Sequence, residues 1–271
     1  MENIKQYKKV LTIAGSDSGG GAGIQADIKS ISATGCYAAS AITALTAQNT
    51  LGVHGIHPVP VDFLAQQLDA VFTDINFDAV KIGMLHSTEV ILTVKKALLK
   101  YHAKNIVLDP VMVATSGDPL LQEEAISSLK NELLPLANLI TPNLPEASLL
   151  LGKPITSQNS LADAAQELAE NFKTNILLKA GHFNDATLTD VLYNYNTGNT
   201  IFYENTRIDT QNTHGTGCTL SSAIASFLAQ ENDMTTAIQK AITYLHQALH
   251  YGKDYQLGKG HGPVHHFYNC W

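Results

Sequence analysis

The segment Asn212-Thr213-His214-Gly215-Thr216-Gly217-Cys218 joins a potential backbone anion trap to a reactive side chain. Its two glycines permit a tight turn and let a phosphate come close to the main chain. The residues that follow put Leu220, Ala223, Ile224, Phe227 and Leu228 on one helical face, so the turn opens a helix whose first N–H groups lack intrahelical partners. Those N–H groups, with the helix dipole, attract an anion. Cys218 falls in the first turn, where the dipole favours a thiolate. An anion trap beside a nucleophile or base suits phosphoryl transfer. The same residues also fit an ordinary glycine-containing helix start capped by Thr213 or Thr216.

A second glycine-rich stretch, Gly15-Ser16-Asp17-Ser18-Gly19-Gly20-Gly21-Ala22-Gly23, lies between an apolar run and a helical pattern. Its spacing is not that of a dinucleotide fingerprint, and no acidic residue follows Lys29 where a ribose-binding carboxylate is expected. It reads as a flexible turn or as a loop lying against a small ligand, with Asp27 on the next helix either a ligand contact or an exposed helical residue. Gly152-Lys153, Gly252-Lys253 and Gly258-Lys259 are not followed by Ser or Thr, so a nucleotide here is not held by a P-loop. Asn143-Leu144-Pro145-Glu146 can hold a hydrated magnesium, or simply form a capping box. Asp109 and Lys179, each at the end of an apolar run, could complete a charge arrangement around a triphosphate. The tail GHGPVHH, with His261, His265 and His266, has no nearby carboxylate or thiol ligand and reads as packed chain rather than a metal site.

Residues 10–14, 38–45, 79–82, 106–108, 139–141 and 176–178 read as buried strands. Helices are expected at 24–33, 63–72, 90–101, 123–134 and 161–172, and alternation of this kind implies a mostly parallel sheet covered on both faces. Residues 188–195 and 200–206 predict a hairpin, followed by helices at 216–229 and 237–249, the second with Ile238, Ala241, Ile242, Leu245 and Leu249 on one stripe. No repeat or linker interrupts the chain, so a single domain over 1–271 is expected. In such sheets ligands gather at the carboxyl ends of strands, where the Gly15 loop, Asp109 and Asn143 all fall.

The 271 residues are 45% hydrophobic and 15% charged with a formal net charge of −7, a balance that argues against nucleic acid or an anionic membrane as the main partner. Residues 30–61 carry no formal charge but include glycines, prolines and amides, and are read as buried chain beside a site rather than a membrane span. Cys36, Cys218 and Cys270 form neither a disulfide framework nor a zinc motif, and the N-terminal apolar run is too short for a signal-peptide core; a soluble, cytoplasmic protein is expected.

Taken together, LTIAGSDSGGGAGIQADIK, ITALTAQNT, KIGML, LDPVMVATSGDPLL, LITPNLPEA, LKAGH, NTHGTGCTLSSAIAS and GHGPVHH resemble the hydroxymethylpyrimidine/phosphomethylpyrimidine kinases of thiamine biosynthesis, within the ribokinase-like superfamily. The likeness runs from Leu11 to His266. It implies a three-layer ribokinase-like fold and an ATP- and magnesium-dependent kinase. Such an enzyme phosphorylates 4-amino-5-hydroxymethyl-2-methylpyrimidine and then its monophosphate. By that resemblance Gln48 would bond the aminopyrimidine with Gly15, Asp27 and Met84 around it. Asp109, Asn143, Glu146 and Lys179 would manage magnesium (Glu146 and Asp109) and the ATP phosphates, and Gly215, Thr216 and Gly217 would form the anion hole. Cys218 stands where sugar kinases of the superfamily carry an aspartate base, and is expected to be an ionised thiol that helps deprotonate the hydroxymethyl group. A homodimer is implied by the resemblance alone.

Two other readings are weighed. A pyridoxal-type kinase is related, but the 109–112 stretch lacks the lid cysteine of the two-cysteine pyridoxal kinases, which favours the pyrimidine. A ligand sensor that has lost catalysis would be expected to lose Cys218, the glycines or Glu146, and all are present. The small, polar residues 114–118 have the composition of a mobile flap.

Overall fold

The computed structural model describes residues 5–112, 120–181, 183 and 185–271; the 114–118 segment expected to act as a flap lies outside them. Strands β1 (Lys9–Asp17), β2 (Tyr37–Asn49), β3 (Gly52–Pro58), β4 (Ala79–Ile82), β5 (Ile106–Leu108), β6 (Leu139–Ile140), β7 (Asn175–Leu178), β8 (Thr187–Asn194) and β9 (Asn199–Thr206) form one sheet in the order β3-β2-β1-β4-β5-β6-β7-β8-β9. The run from β2 to β7 is parallel; β3, β8 and β9 add antiparallel edges.

Side chains alternate across the sheet, so each short apolar strand feeds two cores. Leu11, Val80, Ile106, Leu108, Ile140 and Ile176 face helices α2 (Val61–Asp74), α3 (Thr88–Lys100) and α6 (Leu161–Phe172), with α4 (Glu123–Ser128) and α5 (Leu144–Leu151) on the same side. Their neighbours Val10, Ala79, Val107, Leu139 and Leu177 face α1 (Gly23–Ala33), α7 (Thr216–Ala229) and α8 (Met234–Gly252). This is the three-layer arrangement expected from the strand–helix alternation.

Two elements depart from expectation. The helix expected over 123–134 ends as α4 at Ser128, then passes through a π turn (Leu129–Leu133) and a 3-10 turn (Leu134–Leu136). Pro135 supplies no N–H and its ring crowds the carbonyl four residues back, which accounts for the break in the α pattern. Strand β2 runs to Asn49 because it pairs with β3, whose sequence GVHGIHP has no clean apolar alternation.

Candidate active site

β1 pairs with β2 on one side and β4 on the other, so the connections after β1 leave in opposite directions and a crevice opens at the strand ends. That crevice is a cavity of about 780 Å³. At one end its wall includes Gly15, Asp17, Gln48 and Met84. A Cβ on Gly15 would lie 2.7 Å from Met84 Cε, so the loop meets the methionine only because residue 15 has no side chain.

Asp17 organises this end. Its carboxylate accepts from the N–H groups of Gly19 (2.8 Å), Gly21 (3.0 Å) and Ala22 (2.8 Å), and lies 2.9 Å from His214 Nε2. Burial pushes its pKa up, but the His214 contact and the Ala22 and Gly19 N–H groups outweigh this and hold it below the usual carboxylate value. A carboxylate only accepts, so Nε2 of His214 carries the proton. Gln48 bonds Thr46 Oγ1 at 3.0 Å and approaches the same imidazole at 3.4 Å. The sequence reading gave neither Asp17 nor His214 a role, because the two are 197 residues apart.

The middle of the cavity is the start of α7. Gly215 is its N-cap at φ 79, and Thr219 N–H bonds the Gly215 carbonyl at 2.8 Å. Thr216 N–H turns back to Thr213 O at 3.3 Å, so the amides of Gly215, Gly217 and Cys218 are those the helix start can offer. Thr216 therefore lines the cavity without contributing its backbone donor to an anion. A Cβ on Gly217 would lie 3.2 Å from Asp109 Oδ2 and 3.3 Å from Lys179 Nζ, so the turn rests on that ion pair. Lys179 Nζ and Asp109 Oδ1 are 2.8 Å apart, and Thr141 Oγ1 donates to the same oxygen at 3.1 Å.

The cysteine departs from expectation. Cys218 is half-buried in the cavity wall at the helix start, but burial pushes its thiol up to about 11; Lys81 opposes this, the charges of Asp27 and Asp109 add to it, and the Gly23 N–H opposes it weakly. The raised pKa leaves the group a thiol at neutral pH, against the ionised form expected from its place in the first turn.

Asp27 is also not where the resemblance put it. It is fully buried and not part of the cavity wall; its two oxygens are taken by Thr12 Oγ1 (2.5 Å), Lys81 Nζ (2.8 and 2.9 Å) and Ser222 Oγ (2.7 Å). Its place on α1 turns it toward β1 and β4, beneath the site. Lys81, within KIGML, gave no signal beyond a lysine inside an apolar strand, yet that oddity was the clue.

Asn143 and Glu146 both line the cavity and also form a capping box: Asn143 Oδ1 accepts from Glu146 N at 2.9 Å, and Glu146 Oε2 accepts from Asn143 N at 2.8 Å. Burial pushes the Glu146 carboxyl up to about 7, with Lys179 opposing and Asp109 reinforcing. The cap uses one Glu146 oxygen, and Asp109 Oδ2 is outside the Lys179 and Thr141 bonds. Two hard oxygen donors beside each other fit a magnesium that keeps waters and takes its other ligands from phosphates. Asp190, on β8, also reaches the cavity; burial pushes it up to about 6 although Ala180 N–H donates to it at 2.7 Å.

Leu149, Leu188, Ile208, Ile242, Leu245 and Leu249 add apolar lining to the cavity, beside polar Asn205, Arg207, Asp209 and His246. The α8 stripe seen in the sequence is thus divided, with Ile238 and Ala241 in the core and its later members facing the cavity. The histidine-rich tail packs beneath α7. Thr219 Oγ1 donates to Gly215 O at 2.8 Å, so the 3.1 Å contact with His266 is donated by Nε2; burial pushes that imidazole down to about 3, assisted by Lys29 and His265.

Comparison with known proteins agrees with this geometry. The phosphomethylpyrimidine kinase family model matches residues 17–265. The chain is 47% identical to the hydroxymethylpyrimidine/phosphomethylpyrimidine kinase of Salmonella typhimurium, covering 98% of this chain and 100% of that protein. It is 49% identical to a thiamine biosynthesis bifunctional protein of Geobacter sulfurreducens over 95% of this chain, and spans 52% of that longer protein. The ADP complex of Bacillus subtilis pyridoxal kinase has a TM-score of 0.88 at 34% identity, covering 96% of this chain and 98% of that one, so the fold is ribokinase-like as expected. On the family match across nearly its whole length, the chain belongs to the phosphomethylpyrimidine kinase family.

Proposed function

We propose that this chain is an ATP-dependent kinase that phosphorylates the hydroxymethyl group of 4-amino-5-hydroxymethyl-2-methylpyrimidine and then phosphorylates the resulting monophosphate, in thiamine biosynthesis. The observation that carries the reading is one continuous cavity whose wall brings together Gly15, Gln48 and Met84, the start of α7, and the apolar side chains of Leu188, Ile242 and Leu245. Relatives named for this activity support it.

In this reading Gln48 offers a donor and an acceptor to the aminopyrimidine edge. The adenine lies against those apolar side chains, and the transferred phosphoryl group lies on the Gly217 and Cys218 amides with Lys179 beside it. In the first step the hydroxyl oxygen forms the new O–P bond as the bond to ADP breaks, and its proton passes to solvent; in the second step an oxygen of the monophosphate is the acceptor. Magnesium, held by Glu146 and Asp109, would neutralise phosphate charge. Asn143 orients Glu146 through the capping box. Placement and charge neutralisation carry most of such a reaction.

Cys218 acts here as a neutral thiol. With its pKa pushed up to about 11 by burial, Cys218 is scarcely ionised at pH 7, which weighs against a general-base role. Its thiol therefore positions the acceptor rather than removing its proton.

A single kinase domain over residues 1–271, a cytoplasmic location and a homodimer belong to the same proposal. The continuous sheet supports the first, and family resemblance supports the other two. Among the described residues, no helix is long and apolar enough to cross a membrane.

A coupled assay of ADP release, with hydroxymethylpyrimidine, its monophosphate and pyridoxal offered separately, tests the reading. Turnover of both pyrimidines to a diphosphate is the expected result. Turnover of pyridoxal alone would replace it with a second reading, pyridoxal kinase, which the likeness to the Bacillus subtilis enzyme favours.

A further inference from the structure

The contact between Asp17 and His214 ties the first glycine-rich loop to the turn before α7, but Gln48 is carried by a different piece of chain, the end of β2. Residues 258–263 of the C-terminal segment connect that piece to the same turn. On one side they close on Thr50, two residues after Gln48. The Thr50 hydroxyl oxygen accepts from the N–H groups of Lys259 (3.2 Å) and Gly260 (3.1 Å), and the Thr50 carbonyl accepts from His261 N–H (3.1 Å). On the other side the Gly262 carbonyl accepts from His214 N–H at 3.0 Å, and His214 and Pro263 form a parallel bridge. The ties to the β2–β3 hairpin and to the turn thus fall on successive residues, His261 and Gly262. Both contacts are close: a Cβ on Gly260 would overlap the Thr50 carbonyl, and one on Gly262 would overlap Asn212 Oδ1.

We propose that Thr50 is a positioning residue for phosphoryl transfer, acting through the 258–263 segment to hold Gln48 in register with the anion-binding turn at Gly215. The inference rests on the kinase reading, in which the acceptor ring sits on Gln48 while its reacting oxygen must reach a phosphoryl group on the α7 amides. Those two groups stand on separate elements, and the direct approach between them is Gln48 to the His214 imidazole at 3.4 Å. A misplacement of about 1 Å costs on the order of a hundredfold in rate, so the link needs stiffness more than strength. Backbone hydrogen bonds on successive residues supply it. The turn has anchors of its own: Asn212 Nδ2 donates to the carbonyls of Gly252 (2.7 Å) and Tyr255 (2.6 Å), and Gly217 rests on the Asp109–Lys179 pair. Loosening the tie therefore displaces the hairpin and its glutamine. The phosphate side, with Lys179, Asn143 and Glu146, stays in place, so the loss falls on the acceptor and spares ATP.

The test pairs initial-rate kinetics with backbone hydrogen–deuterium exchange in the full chain. Thr50→Val keeps the shape of the side chain and removes the accepting oxygen, while Gly260→Ala pushes on the same contact from the tail. Each should lower kcat/KM for hydroxymethylpyrimidine about tenfold or more while the KM for ATP stays within about twofold. Exchange in peptides covering 258–263 should quicken in both variants without substrate. Thr50→Ser keeps the hydroxyl and should stay within about threefold of wild type in every constant. Equal losses toward acceptor and ATP, unchanged kinetics beside faster exchange, or unchanged exchange would each overturn the proposal, as would a serine variant as impaired as the valine. Where Gly260→Ala does not fold, Thr50→Val decides alone, since it exchanges a hydroxyl for a methyl at a half-buried site. A wild type that phosphorylates no pyrimidine overturns the kinase reading itself; failure of this inference alone leaves wild-type turnover intact.

Discussion

Asp17 Oδ2 and His214 Nε2 lie 2.9 Å apart and clamp the loop after β1 to the loop before α7. The same carboxylate gathers three backbone N–H groups of the first loop, so one side chain fixes both walls of that end of the cavity. His214→Ala should raise the KM for hydroxymethylpyrimidine about tenfold or more while the melting temperature falls only a few degrees. Initial-rate kinetics beside thermal melts checks this; unchanged KM would remove His214 from acceptor binding.

The clamp also gives an acid-side signature. The folded pKa of Asp17 lies below its unfolded value, so its stabilisation is present above the unfolded pKa and is lost as pH falls through the folded one. Between about pH 4 and pH 2, wild type should lose melting temperature more steeply than Asp17→Asn. At pH 7 the variant should be the less stable, since asparagine cannot replace the ionised acceptor.

Gly215 and Gly152 both have left-handed backbone, at φ 79 and 71, yet their substitutions should differ. A Cβ on Gly152 meets nothing within 4 Å, so Gly152→Ala should cost only the conformational term of about 1–2 kcal/mol. A Cβ on Gly215 would overlap the Gly21 carbonyl, so Gly215→Ala should cost roughly 3 kcal/mol or more and abolish turnover. Denaturant melts of the two variants compare the costs directly.

Glu146→Gln should separate stability from activity. Because burial raises this carboxyl to about 7, its contribution to folding is fully present below its unfolded pKa and is lost as pH rises through the folded value. At pH 8 the ionised side chain is a burden on the order of 3 kcal/mol, so the ligand-free variant should melt higher than wild type there, with the gap closing by about pH 5. Glutamine preserves the capping box. Turnover should fall about a hundredfold, and the rise in melting temperature on adding magnesium with ADP should shrink.

Cys218→Ala should slow both phosphorylations by similar factors. A neutral thiol that positions the acceptor serves the alcohol and the monophosphate alike, whereas a thiolate base would matter chiefly for the alcohol. Single-turnover rates for the two acceptors measure this, and a loss confined to the first step would restore the base.

Much of this was legible in the chain. Apolar runs such as residues 106–108 and 139–141 are too short for helices and too apolar for exposed strands, so they had to be central strands of a covered sheet. Glycine-rich loops at strand ends and the glycine pair before α7 marked the cavity, because close approach of a ligand to backbone demands residues without side chains. Gly15, Gln48, Met84, Asp109, Asn143, Glu146, Lys179 and the 215–218 turn all line it.

Local pattern did not reach quantities that depend on what stands behind a residue. Helix position alone favoured an ionised Cys218, but its proton affinity is set by burial among α1, β4 and β5, which sequence spacing does not encode. Asp27 looked like a ligand contact until α1 packed its carboxylate onto Lys81, and Asp17 acquired its role only when folding brought His214 to it. Residue types and local periodicity establish elements and backbone traps because those depend on neighbours in the chain. Protonation states, paired charges and the division of the α8 stripe between core and cavity depend on neighbours in space.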